Sequence, residues 1–259
     1  MKNGKSSRKD LSVQSFFAII EEKQRVTGYG GNGMVSAILV AAGNSTRTGG
    51  VKKQFLKIRG VPVVVRSAAK LQHTPEVREI LVVTKGEDIE LVKQLLADAG
   101  LDKVRQVVAG GETRQQSVLN GLVHCDPNAE LVAIHDAARP FVAVADIQKV
   151  IDDARRYRAA TLGVPVKDTV KVVQCGVITS TPERSSLYLT QTPQVFEASL
   201  YREAALSAQR EGLDLTDDCQ LVERMGVPVH MTEGSYENIK ITTPDDIRLS
   251  RVLAEEEEG

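Results

Sequence analysis

From Met34 onward, short runs of β-branched and aliphatic residues alternate with stretches whose apolar residues recur at helical spacing, and this alternation restricts the fold more than any other feature. A strand buried on both faces reads as a near-continuous apolar run, so the pattern predicts an α/β fold, a mostly parallel sheet with helices on both faces. The spacing predicts strands over 36–40, part of 61–65, 79–84, 103–109, 131–135 and 160–164. Between them lie helices such as 86–99, with Leu91, Leu95 and Leu96 on one face, and 113–123. Residues 168–191 are rich in Val and Thr and carry Cys175-Gly176 near the middle, which predicts a protruding hairpin or arm that packs on a partner. Residues 34–259 therefore read as one domain carrying this arm.

The flanks read differently. Residues 1–33 form a polar appendage, expected to be flexible, that closes on Gly28-Tyr29-Gly30-Gly31-Asn32-Gly33. This cluster satisfies G-x-G-x-x-G, but a dinucleotide loop needs a strand before it and a helix after it, and here the order is reversed. It reads as a linker, and an NAD-linked oxidoreductase loses its main support. Because Gly30-Gly31-Asn32-Gly33 could be encoded by a purine-rich ribosome-binding stretch, the expectation is that Met34 is the start in the cell; native protein beginning at Met1 would refute it. The run Glu255 to Glu258 reads as solvated.

Charge and cysteine usage exclude several classes. Thirty-three Lys and Arg balance 34 Asp and Glu, so there is no broad basic surface for a nucleic-acid backbone. Cys125, Cys175 and Cys219 are odd in number and form no C-x-x-C, which argues for free thiols in a reducing cytosol. No apolar run approaches the roughly 18 residues of a spanning helix, and the segment after the basic N-terminus is too short for a signal-peptide core. The expected location is cytoplasmic, with no membrane partner.

In open α/β sheets ligands bind beyond the carboxyl ends of strands. After the first strand comes Ala41-Ala42-Gly43, whose small side chains let backbone N–H groups approach an anion, followed by Arg47 and then Lys52-Lys53. The same segment could be an ordinary turn with solvated cations, and the P-loop pattern is absent. After the fourth strand comes Gly110-Gly111-Glu112-Thr113-Arg114, in which Thr113 can cap a helix whose N-terminus faces a base or phosphate. After the fifth comes His135-Asp136-Ala137-Ala138-Arg139, where Asp136 and Arg139 read either as a structural ion pair or as a ribose and metal-phosphate site. His135, at a strand end, reads as structural.

These segments together resemble the 2-C-methyl-D-erythritol 4-phosphate cytidylyltransferases. The resemblance runs from Ala41-Ala42-Gly43…Arg47…Lys53-Gln54-Phe55 through Gly110-Gly111…Arg114…Ser117 and His135 to Pro140. It continues in Pro165 to Lys171, Thr192-Pro193-Gln194, Thr216-Asp217-Asp218 and Asn238 to Thr242. It implies a Rossmann-like nucleotidyltransferase fold of the GT-A type, a homodimer that exchanges arms, and a Mg²⁺-dependent transfer of CMP from CTP in isoprenoid precursor synthesis. It further implies that Arg47 and Lys53 contact the CTP phosphates and act in catalysis with Arg184 and Lys240. Ala41, Ala42, Gly43, Gly111, Glu112, Arg114, Ser117 and Ala137 would line the nucleotide site. Asp136, Arg139, Thr169, Arg184, Thr192, Thr216 and Lys240 would hold the sugar-alcohol phosphate, Thr169 and Arg184 coming from the neighbouring subunit; the metal ligand is left open, with Asp136 as the candidate.

Three residues depart from the family pattern: Ser45 for glycine, Thr48 for methionine and Lys52 for proline. The loop is about one residue short, which leaves Lys52 as the alternative to Lys53; Lys53 is preferred because Gln54-Phe55 follows it directly. A phosphate monoester with a second pKa near about 6 is already a nucleophile at neutral pH, so cations and donors suffice without a general base. Two rivals share these motifs: a ribitol 5-phosphate or other alditol phosphate cytidylyltransferase, and a nucleotide-binding protein without catalysis.

Overall fold

The computed structural model describes residues 34–43 and 52–257. Strand β1 (Val35–Val40) leads to a short ribbon, β2 (Lys57–Ile58) and β3 (Val61–Pro62), and then to helix α1 (Val63–Gln72). Two further strand–helix units follow: β4 (Val77–Thr84) with α2 (Ile89–Asp98), and β5 (Val104–Ala109) with α3 (Arg114–Leu122). Next come β6 (Leu131–Asp136), α4 (Val144–Tyr157) and β7 (Ala159–Pro165). A hairpin of β8 (Val172–Gln174) and β9 (Val177–Ser180) precedes the long β10 (Tyr188–Glu197), α5 (Ala198–Arg210), α6 (Cys219–Arg224), β11 (His230–Glu233) and α7 (Pro244–Glu256).

The main sheet has the order β11-β7-β10-β6-β1-β4-β5, and only β10 runs against the others. Successive side chains of a strand face opposite ways, so each central strand feeds two cores. Ala37 and Leu39 of β1 and Val82 of β4 pack beneath α1, α2 and α4, whereas Ile38, Leu81 and Val83 pack beneath α3, α5 and α6. Each fully buried Val or Leu contributes about 1.5–3 kcal/mol, so two such layers hold the sheet firmly. A third cluster, built on Ile58, Val63, Phe141, Ile241 and Ala254, fastens α7 to the ribbon.

Several expectations need correction. The run 61–65 is extended only at Val61–Pro62; Val63, Val64 and Val65 open α1, and all three are buried. Burial on every side erases the periodicity that separates helix from strand, and tertiary packing overrides the β preference of valine. On α2 the buried face is Val92 and Leu96, while Leu91 is 50% exposed. The acidic run near the C-terminus is not wholly solvated. Glu257 is drawn into an ion cluster with Arg66, which is fully buried, and Lys70 of α1.

The hairpin turns at Cys175 and Gly176, whose φ angles of 50° and 80° are those of a two-residue turn matched to the strand twist. Its Val173, Val177 and Ile178 are more than half exposed. Residues from Tyr188 onward, which fall within the 168–191 stretch, leave the hairpin and pair with β7.

Candidate functional site

The strand order reverses between β1 and β6. The chain leaves β1 towards β4 and β5 but leaves β6 on the other side, so the loops beyond these two strands diverge and leave a crevice. A cavity of about 310 Å³ opens there. Its walls are Ala41, Ala42 and Gly43 after β1, Lys53 and Gln54, the Gly111 to Arg114 loop with Ser117, Asp136 to Ala138 after β6, and Lys240 with Thr242.

The wall formed by the loops after β1, β5 and β6 is tightly bonded. Sheet pairing runs past the strand ends, with Ala41 N–H donating to Val83 O at 2.7 Å, Gly110 N–H to Thr84 O at 2.7 Å and Ala137 N–H to Val40 O at 3.0 Å. A Cβ on residue 110 would lie 2.6 Å from Ala42 Cβ and 2.8 Å from Ser117 Oγ, so only glycine lets these loops meet. As the motif predicted, Thr113 caps α3, accepting from Gln116 N–H at 3.2 Å. Ser117 Oγ accepts from Gly111 N–H at 3.1 Å and donates to Thr113 O at 2.9 Å, while Gln116 Oε1 accepts from Glu112 N–H at 3.0 Å. The loop is thereby fixed with the α3 N-terminus beside the cavity, where its N–H groups favour an anion.

Asp136 is the electrostatic centre. Its Oδ1 accepts from Arg114 Nε at 3.3 Å, and its Oδ2 pairs with Lys240 Nζ at 2.6 Å. Burial alone would raise its pKa, but Arg114, Lys240 and Arg139 outweigh it and hold the carboxyl well below the usual range. Lys240 is aimed by its neighbours: Ile239 and Ile241 turn into the third core, Ile241 N–H donates to Ala138 O at 2.9 Å, and Lys240 is left on the cavity side. Just beyond, Thr243 and Asp246 form a capping box that starts α7.

Behind Asp136, His135 Nδ1 lies 3.0 Å from Thr192 Oγ1, His135 Nε2 lies 3.1 Å from Arg139 O, and Thr192 Oγ1 accepts from Asp136 N–H at 3.0 Å. Burial pushes the His135 pKa down to about 4, so the imidazole is neutral and locked at neutral pH. Its place in the chain is structural. Arg139 spends its guanidinium on backbone, donating to Asn238 O at 2.8 Å and Thr190 O at 3.3 Å.

The two adjacent lysines part company. Lys52 Nζ pairs with Glu87 at 2.7 Å and Asp88 at 2.6 Å, tying its turn to the start of α2, whereas Lys53 lines the cavity. Arg47 lies outside the described residues. Of the remaining sequence candidates, Thr192 is buried behind the site. Thr169, Arg184 and Thr216 are exposed and do not line the cavity; Arg184 donates to Lys167 O at 3.0 Å on its own arm. Sequence reasoning missed Gln54, Thr242 and Asp218. Asp218 lies within a motif quoted for the resemblance, yet its pairing with Arg114 at 2.7 Å joins residues far apart in sequence, and no local signal marks it.

The family model of the 2-C-methyl-D-erythritol 4-phosphate cytidylyltransferases (IspD) matches residues 35–256. The chain belongs to this family. Among curated relatives, the cytidylyltransferase of Desulforamulus reducens is 45% identical over 224 residues, covering 85% of this chain and 96% of its own. That of Caldanaerobacter subterraneus is 46% identical over 222 residues, with 85% and 98% covered. Among solved structures, the 4-diphosphocytidyl-2C-methyl-D-erythritol synthase of Anaerococcus prevotii superposes with a TM-score of 0.77 at 29% identity, covering 92% of this chain and 99% of its own. The cytidylyltransferase of Thermus thermophilus gives 0.70 at 33% identity, with 86% and 99% covered. The sheet order and switch-point cavity described above are thus those of a cytidylyltransferase-family nucleotidyltransferase, an α/β enzyme fold. Among the described residues no helix is long and apolar enough to cross a membrane.

Proposed function

We propose that this enzyme transfers CMP from CTP to 2-C-methyl-D-erythritol 4-phosphate, giving 4-diphosphocytidyl-2-C-methyl-D-erythritol and pyrophosphate. The observation that carries this reading is the pairing of Arg114 and Lys240 with the ionised carboxylate of Asp136, in a cavity that Lys53 also lines, at the switch point of a cytidylyltransferase-family chain. An oxygen of the 4-phosphate attacks the α-phosphorus of CTP, a new P–O bond forms, and the bond to the bridging oxygen breaks with its electron pair leaving on pyrophosphate. The monoester is largely dianionic at neutral pH, so no base need remove a proton, and neutral His135, engaged on both ring nitrogens, is not called on.

What remains is to bring two polyanions together and to stabilise charge on the oxygens around the α-phosphorus. Lys53 faces the cavity and is assigned that role, together with Arg47. Ala41 to Gly43, Gly111, Glu112, Ser117 and Ala137 form the cytidine wall. Among the described residues no cluster of three or more His, Cys, Asp or Glu side chains could hold a metal alone. Mg²⁺ takes one or two protein carboxylates and completes its shell with water and phosphate oxygens, and Asp136, ionised and on the cavity wall, would hold it. Bound there, it would neutralise phosphate charge.

Thr169 and Arg184, out of reach of the cavity in their own chain, are assigned to the site of a second copy, and the exposed apolar β8–β9 hairpin is the surface that would dock it. The enzyme is accordingly a homodimer of the cytoplasm in this reading. Pyrophosphate release from CTP and Mg²⁺ is the direct test. Rapid release with methylerythritol phosphate and none with ribitol 5-phosphate is expected; the reverse would move the acceptor, and silence with both would refute the transfer.

A further inference from the structure

Arg114 stands between two carboxylates. Its Nε reaches Asp136 Oδ1 at 3.3 Å, and its Nη1 reaches Asp218 Oδ2 at 2.7 Å. The Nε edge of the guanidinium faces Asp136 while Asp218 takes Nη1 on the other side, so the two carboxylates fix its plane from two directions and Asp218 holds the group in place. Asp218 is well placed to do so. It is 1% exposed, its Oδ1 accepts a 2.5 Å hydrogen bond from the buried Tyr201 hydroxyl, and its N–H donates to Gln194 Oε1 at 3.0 Å. Side chain and backbone are both anchored, so Arg114 adjusts to Asp218 and not the reverse. A buried ion pair of this kind adds little net stability, because desolvation offsets the attraction, so fold stability alone gives a weak account of it.

We propose that Asp218 is a positioning residue for CTP binding: by holding Nη1 it fixes the Arg114 guanidinium at the cavity wall, in the orientation in which it faces the nucleotide. The inference rests on the function proposed above and deepens it. It also ties the 213–218 loop to α3, which Gln115 does a second time through Leu213 O at 2.8 Å and Leu215 N–H at 2.9 Å.

Asp218→Asn keeps the side-chain shape and an acceptor for Tyr201 but removes the charge. The dissociation constant for CTP, measured by calorimetry, should rise about tenfold, the strength of one charged hydrogen bond, while the KM for methylerythritol phosphate changes less than about threefold. In an Arg114→Ala background the same substitution should alter CTP affinity less than about twofold, because the group it positions is gone. A purely structural Asp218 would instead give additive effects in the double variant, and that outcome, or unchanged CTP binding in Asp218→Asn, overturns the inference alone. Should Asp218→Asn not fold, Tyr201→Phe, which keeps the charge and loosens its anchor, should weaken CTP binding in the same direction, and no change there overturns it too. Failure of the unaltered protein to bind CTP would overturn the proposed function and this inference with it.

Discussion

The nucleotide-side wall and the arm are built on opposite principles. Around Ala41, Gly110, Ser117 and Asp136 the backbone and side-chain groups are cross-bonded between β1, β4, α3 and β6, and Ser117 and Asp136 are almost wholly buried. In the arm, β8 and β9 pair only with each other and every residue of both strands is exposed. The first region is preorganised by one chain, as electrostatic catalysis requires, because donors fixed in advance do not have to be reorganised as charge develops. The second holds two assigned substrate residues, Thr169 and Arg184, which are exposed and do not line the cavity of their own chain. In the function proposed above, nucleotide recognition is then a property of the fold and acceptor recognition a property of the assembly.

The sharpest way to break the first half of this contrast lies at Lys52-Lys53. If the rigid wall presents Lys53 to the α-phosphorus, Lys53→Ala should lower kcat about 10²–10³-fold, the usual loss on removing one fixed donor to a developing oxyanion, with a much smaller change in CTP affinity. Lys52→Ala removes a partly exposed ion pair with Glu87 and Asp88 and should alter kcat less than about threefold. Steady-state kinetics of both variants check this; equal losses would refute the separate placement of the two side chains.

The buried wall should also respond to acid. His135 has its pKa pushed down to about 4 by burial, against an ordinary value of about 6.5 in the unfolded chain. Between these values the unfolded state binds the additional proton, so the contribution to stability is complete above about pH 6.5, falls as pH drops and levels off below about pH 4. The full difference is on the order of 3 kcal/mol. Urea midpoints at pH 7.5, 5.5 and 4.5 should fall accordingly in the unaltered protein, and His135→Gln should flatten that slope. A slope unchanged by the substitution would assign the acid response elsewhere.

How far the sequence was legible follows from the same contrast. Strands β1, β4, β6 and β7 are largely apolar runs packed between two helical layers, and their burial is written directly in their composition. The loops after β1, β5 and β6 could be placed because a parallel sheet presents its carboxyl ends to ligands. Strand β10 was illegible for the opposite reason: Gln191, Thr192, Pro193 and Gln194 interrupt its apolar pattern yet are all buried, the three polar ones through hydrogen bonds to Ser235, Asp136 and Asp218. The pairing of β10 with β7 shifts register between Thr190 and Gln194, around a proline that has no N–H to offer the ladder. The helix begun by Val63-Val64-Val65, the outward turn of Leu91 and the grip of Asp218 on Arg114 depend on what each residue meets across the fold, which local spacing does not encode.

The arm offers the finest discrimination, because its effect should depend on which copy of the chain carries the change. Arg184→Ala should raise the KM for methylerythritol phosphate by about 10-fold, in line with about 1.5–3 kcal/mol for a charged hydrogen bond, and leave CTP affinity unaltered. If Arg184 serves the neighbour's cavity, a dimer pairing one Lys53→Ala chain with one Arg184→Ala chain has a cavity carrying both defects and another carrying neither. With methylerythritol phosphate well below its KM, where both single variants are impaired, mixing and re-equilibrating the two proteins should then restore up to about a quarter of the unaltered activity per chain, since half the dimers are mixed and each has one intact site out of two. An arm that folds back on its own chain would place one defect in every cavity and give no recovery. The mixing experiment therefore separates a site shared between copies from one completed within a single chain, even where the two single variants behave alike.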